Sequence, residues 1–117
     1  MSVQRQKDMR IAQAQQGDLA AFEELVREHE RKIYNLCFST MGSAEDAADM
    51  AQETLLKAWR ALQRFDGRSS LGTWLYRIAV NTCLDELRRR FGDGIFDSDG
   101  ALQRKVLGTI VFGDEGA

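Results

Sequence analysis

Not one proline interrupts the 117 residues of this chain. Proline removes a backbone donor and kinks any helix it enters, so its absence leaves the helical ladder free to run. Ala, Leu, Gln, Glu and Arg are plentiful and are strong helix formers. The chain is therefore predicted to be all-α, with glycine supplying the breaks. A first helix is expected over roughly 4–16, ended by Gly17. Asp18 restarts the chain as an N-cap, and Phe22, Leu25, Val26, His29, Ile33, Leu36 and Cys37 recur at three-and-four spacing, so a second helix should run to about Thr40. His29 lies on that apolar stripe and is read as a core or boundary histidine.

Gly42 closes the second segment, and Ser43 with Asp46 makes a capping-box-like start to a third. Its buried stripe is Ala47, Ala51, Leu55, Ala58, Trp59 and Leu62. A turn at Asp66-Gly67 and a cap at Ser70 lead into a fourth helix, which buries Leu71, Trp74, Leu75, Ile78, Ala79 and Thr82. That helix ends in Arg88, Arg89 and Arg90, near the negative end of its dipole. Four helices on short connections make a compact bundle, and a chain of this length fits one core. After Phe91 the texture changes: the last stretch holds six of the ten glycines. Leu102, Val106, Leu107 and Ile110 could line a short helix there and VLGTIVF could equally be a strand, so residues 92–117 are left as an unassigned tail.

Nothing in the composition favours an enzyme. Cys37, Cys83 and His29 are the only residues of their kinds and form no ligand cluster, so no metal site is expected and both thiols read as small buried groups. No catalytic residue and no cofactor is assigned. No stretch reaches the roughly 18 apolar residues of a membrane span, and the start, MSVQRQKDMR, lacks the apolar core of a signal peptide. A cytosolic location without a membrane partner is the expectation.

Charge is the functional clue. Net charge is only −2, yet residues 17–56 carry nine acidic and three basic groups while 57–90 carry eight basic and three acidic. One bundle with two surfaces of opposite sign suits two different partners. Asp46, Asp49 and Glu53 share one helical face with Gln52 beside them. Such a row is ordinarily just a solvated surface, and without burial or a metal it has no reason for catalytic tuning. Arg77, Asn81, Asp85 and Arg88 form an exposed face on the fourth helix, and Asn and Arg are good readers of bases and phosphates. Upstream, Lys57, Arg60, Arg64, Phe65, Arg68 and Trp74 alternate cations with aromatics, a mixture that suits a single strand. Trp59, by contrast, is expected in the core.

The ordered motifs GD..AF..L, DA.D..Q and WL..IA.N...D..R, spread over residues 5–90, resemble region 2 of bacterial extracytoplasmic-function sigma factors. The resemblance implies a region 2 domain over residues 1–91 that binds core RNA polymerase and recognises and melts the promoter −10 element. It assigns Asp46, Asp49, Gln52 and Glu53 to the clamp helices of the beta-prime subunit. It assigns Phe65, Asp66, Gly67, Arg68, Ser69 and Ser70 to a loop that captures a base flipped from the non-template strand. Trp74, Arg77, Asn81, Arg88, Arg89 and Arg90 would flank that pocket or hold phosphates. An anti-sigma factor is a further implied partner, and neither ATP nor metal is implied.

The tail departs from the family, whose complete members carry a second helical domain that reads the −35 element. Instead GIFDSDGALQRKVLGTIVF has a weaker likeness to an internal piece of dephospho-CoA kinases, suggesting a truncated, fused or misassembled frame. Kinase chemistry is excluded because no GxxxxGK[ST] occurs to cradle phosphates. A second reading stays open at this point: a helical interaction module without nucleic-acid function, which needs only the acidic face and the core.

Overall fold

The computed structural model describes residues 2–92, and those residues form the expected all-α bundle. In order they are α1 (Val3–Gln15), α2 (Leu19–Arg27), α3 (Glu30–Met41), α4 (Ala44–Ala61), a single 3-10 turn (Leu62–Arg64) and α5 (Leu71–Phe91). The predicted caps are in place. The Asp18 carboxylate accepts from Ala21 N at 3.1 Å, Ser43 Oγ from Asp46 N at 3.2 Å, and Ser70 Oγ from Thr73 N at 3.1 Å. Each satisfies a first-turn donor that the helix itself cannot. Gly42 leaves α3 at φ 77°, a left-handed conformation costly for any residue with a Cβ.

One boundary differs from the sequence expectation. The helix predicted from Asp18 to Thr40 is two helices, broken at Glu28-His29. No glycine marks the break, and its causes are tertiary. α2 packs on α1, whereas α3 packs on α4 and α5, so a single straight rod could not serve both. At the junction Glu28 reaches Lys7 of α1 at 3.1 Å, while the His29 ring turns onto the first turn of α5. It lies so close to Gly72 that a Cβ there would sit 2.7 Å from the imidazole.

The core runs along α3, with α4 and α5 against it. Ile33, Leu36, Leu62 and Leu75 are its largest fully buried apolar side chains, each contributing roughly 1.5–3 kcal/mol of burial free energy. The buried stripes follow the predicted periodicity, with Thr54 added. Thr54 and Thr82 are buried hydroxyls that donate back to Met50 O and Ile78 O at 2.7 Å, so neither costs an unpaired polar group. Cys37 and Cys83 are free and buried. The neighbouring Cys83 thiol, together with burial, pushes the Cys37 thiol above its ordinary range. Trp59 packs on Phe22 with ring centroids 5.2 Å apart, a core contact as expected. Among the described residues no helix is long and apolar enough to cross a membrane. The alternatives for the tail, and the stretch likened above to dephospho-CoA kinases, lie outside the described residues.

Candidate nucleic-acid and protein-docking surfaces

The loop between α4 and α5 is built by its own side chains and braced by a distant one. Asp66 accepts from Arg68 N at 3.1 Å and pairs with Arg68 Nε at 3.0 Å, across Gly67 at φ 79°. Ser69 Oγ donates to Ser70 O at 3.2 Å, and Ser70 Oγ donates to Thr73 Oγ1 at 2.9 Å. From α1, the Gln15 amide donates to Leu62 O at 3.0 Å and to Phe65 O at 2.9 Å, spending both of its N–H groups on the loop entrance. Phe65 and Trp74 pack together, rings tilted by 53° at 5.2 Å, and both stay half-buried. A compact turn thus carries aromatic surface beside exposed Arg68.

From this loop the exposed stripe of α5 runs through Thr73, Arg77, Asn81, Asp85 and Arg88, as the spacing predicted. Among the described residues neither Arg77 nor Asn81 is engaged in a hydrogen bond or ion pair, so both are available to a ligand. The arginine run is different. Arg90 grips Asp46 of α4 through two hydrogen bonds of 3.0 and 2.9 Å and reaches Glu86 at 2.6 Å; Arg89 also pairs with Glu86. Hydrogen bonding to Arg90 holds the Asp46 carboxyl below the usual carboxylate range, and Arg89 with Arg90 does the same for Glu86. Asp46 and Arg90, assigned by sequence to different partners, therefore hold each other at the surface.

The rest of the acidic row stays accessible. Asp49 and Gln52 are exposed and Glu53 half-buried, and together they line a groove of about 460 Å³ between α4 and α5. Lys57 and Asp85 face each other across it at 4.0 Å. Leu56, 43% exposed, sits in the same groove and was missed by the sequence reading. Its signal was there: it lies seven residues after Asp49 and four after Gln52, on the same face. A second cleft, of about 430 Å³, lies where α1 and α2 meet the loop, and a third, of about 440 Å³, lies between α3 and the start of α5. His29 lines both of these.

Comparison with known proteins agrees with the geometry. Residues 9–91 match the family model Sigma-70 region 2. The chain is 38% identical over 92 residues to the ECF RNA polymerase sigma factor SigW of Bacillus subtilis, covering 79% of this chain and 49% of SigW. It is 42% identical over 90 residues to the RNA polymerase sigma-H factor of Pseudomonas aeruginosa, covering 77% and 47%. With SigG of Mycobacterium tuberculosis it shares 48% identity over 79 residues, 68% of this chain and 20% of that protein. The chain thus spans about half the length of the first two relatives and a fifth of the third. Among solved structures, an engineered region 2 of sigmaE in complex with GTAAAA superposes with a TM-score of 0.64 at 39% identity, covering 78% of this chain and 98% of that one. These relatives are sigma factors and not catalysts, in keeping with a non-enzymatic reading. A bundle with this order of helices, matched over most of its described length, belongs to the Sigma-70 region 2 family.

Proposed function

We propose that residues 1–91 work as a region 2 module that docks on the clamp helices of core RNA polymerase and captures a base from the non-template strand of a promoter −10 element. The observation that carries this reading is the unpaired Arg77–Asn81 stripe leading away from the braced Phe65–Ser70 loop. The likeness to a region 2 solved with GTAAAA supports it. Extruding a base costs a few kcal/mol, which hydrogen bonds and stacking in the pocket must offset. Phe65 and Trp74 offer the stacking surface, Asn81 a base-edge contact, and Arg68 and Arg77 phosphate contacts. Recognition and strand opening then become one event.

The acidic row is the polymerase-facing side in this reading. Asp49, Gln52 and Glu53 offer carboxylates and an amide around Leu56, a polar rim with an apolar centre. Asp46 contributes only by giving up Arg90. Free DNA should bind weakly, because a chain of net charge −2 repels phosphate until its acidic side is covered.

Titration of the full chain with short single-stranded oligonucleotides, GTAAAA among them, tests base capture. Asn81→Ala is expected to remove about 1–3 kcal/mol of discrimination between sequences, while Arg68→Ala weakens all of them alike. Equal binding of every oligonucleotide, unaltered by either change, would defeat the reading. For the other side, Asp49→Arg is expected to weaken capture of the clamp helices roughly tenfold or more in a pull-down. Undiminished capture would remove the acidic row from the interface. Retained clamp capture without oligonucleotide selectivity would favour an interaction module, an anti-sigma factor being another partner for it.

A further inference from the structure

The three clefts differ in charge. The α4–α5 groove is walled by Asp49, Glu53, Asp85 and Glu86 with Lys57 and Arg89, and the cleft at α1 and α2 mixes Asp8, Glu24 and Glu28 with Lys7, Arg10 and Arg68. The cleft between α3 and α5 has no carboxylate in its lining. It has Lys32 from α3, Arg77 from α5, the hydroxyls of Ser70 and Thr73, and the ring of Tyr76. In a chain with more acid than base this is a local reversal, and field lines from two cations add in a concave site.

Several cations elsewhere are committed. Lys7 holds Glu28, Lys57 faces Asp85, Arg68 holds Asp66 and Arg89 holds Glu86. Among the described residues Lys32 and Arg77 have no carboxylate within 4.0 Å, so an arriving anion breaks no existing pair there. Burial keeps the His29 imidazole below its ordinary range. Its ring packs against Gly72, with Nε2 3.3 Å from Glu28 Oε1, and the cationic side chains of the cleft are Lys32 and Arg77. Ser70, the last residue of the loop, forms part of the wall, so the cleft opens directly beside the proposed base pocket.

We propose that this cleft holds a backbone phosphate of the single strand whose base enters the Phe65–Ser70 loop, with Lys32 and Arg77 as its two cations and the Thr73 hydroxyl as a neutral donor. The inference deepens the reading above and rests on it for the identity of the strand. It adds Lys32, a residue of α3, to a surface otherwise made by the loop and α5.

The test is the salt dependence of binding of the full 117-residue chain to short single-stranded DNA oligonucleotides. Each phosphate contact on a single strand contributes about 0.7 to the slope of log affinity against log salt. Lys32→Ala is expected to flatten that slope by about 0.7 and to weaken every sequence by the same factor, leaving the rank order of oligonucleotides intact. Arg31→Ala, which removes an exposed α3 cation outside the cleft, should leave the slope unchanged. An unchanged slope for Lys32→Ala with sequence selectivity still present overturns the phosphate site and spares the base-capture reading. A flattened slope in a protein that ranks all oligonucleotides equally supports the phosphate site and overturns base capture. Absence of any oligonucleotide binding overturns both.

Discussion

Leu36→Ala is expected to lower the unfolding free energy by about 2–5 kcal/mol, the usual cost of cutting a fully buried leucine back to its Cβ. Leu36 has no exposed surface and sits on α3, the helix against which both α4 and α5 pack. Removing its isopropyl group leaves a cavity bounded by helices that cannot close in without disturbing each other. Domains of this size hold only about 5–15 kcal/mol in total, so the variant should show a sharply lower denaturant midpoint with an unchanged slope. A loss below about 1 kcal/mol would mean that α3 is not the central element described here.

Gly72→Val should destabilise by about 1–3 kcal/mol, although replacing a helical glycine ordinarily helps the helix by up to about 1 kcal/mol. The reversal of sign comes from one ring. A Cβ at this position would stand 2.7 Å from His29 Cε1 and 3.1 Å from Nδ1, and valine adds two more carbons where the imidazole lies. The ring must leave its site or α5 must shift. Combining Gly72→Val with His29→Ala should therefore recover most of the loss, a coupling that a double-mutant cycle in urea measures directly. If the two changes simply add, the packing of His29 on the start of α5 is not what holds Gly72 as glycine.

Much of the fold could be read from the sequence because its signals are local. Asp18, Ser43 and Ser70 each cap the helix that follows them through a bond spanning three residues, and the apolar stripes follow a period that any short window contains. The break at Glu28-His29 could not be read in this way. Its stripe continues unbroken from Phe22 to Cys37, and what bends the chain is α1 on one side and α5 on the other. The exposed faces carrying Asp49 and Asn81 were legible from spacing alone. The pairing of Asp46 with Arg90 was not, because those residues are 44 positions apart and each fits its own motif equally well. Leu56 was overlooked for a different reason: its spacing from Asp49 and Gln52 puts it on their face, but an exposed leucine gains meaning only from the groove around it.

Gln15 shows where the support for the loop comes from. Its side-chain amide ties down carbonyls 47 and 50 residues further along, at the doorway to the turn before α5. The opening helix is thus a strut and not a leader that can be trimmed away. A shortened chain starting at Asp18 would keep every proposed contact residue yet lose the prop that shapes their setting, so it would be a misleading stand-in when oligonucleotide preferences are measured.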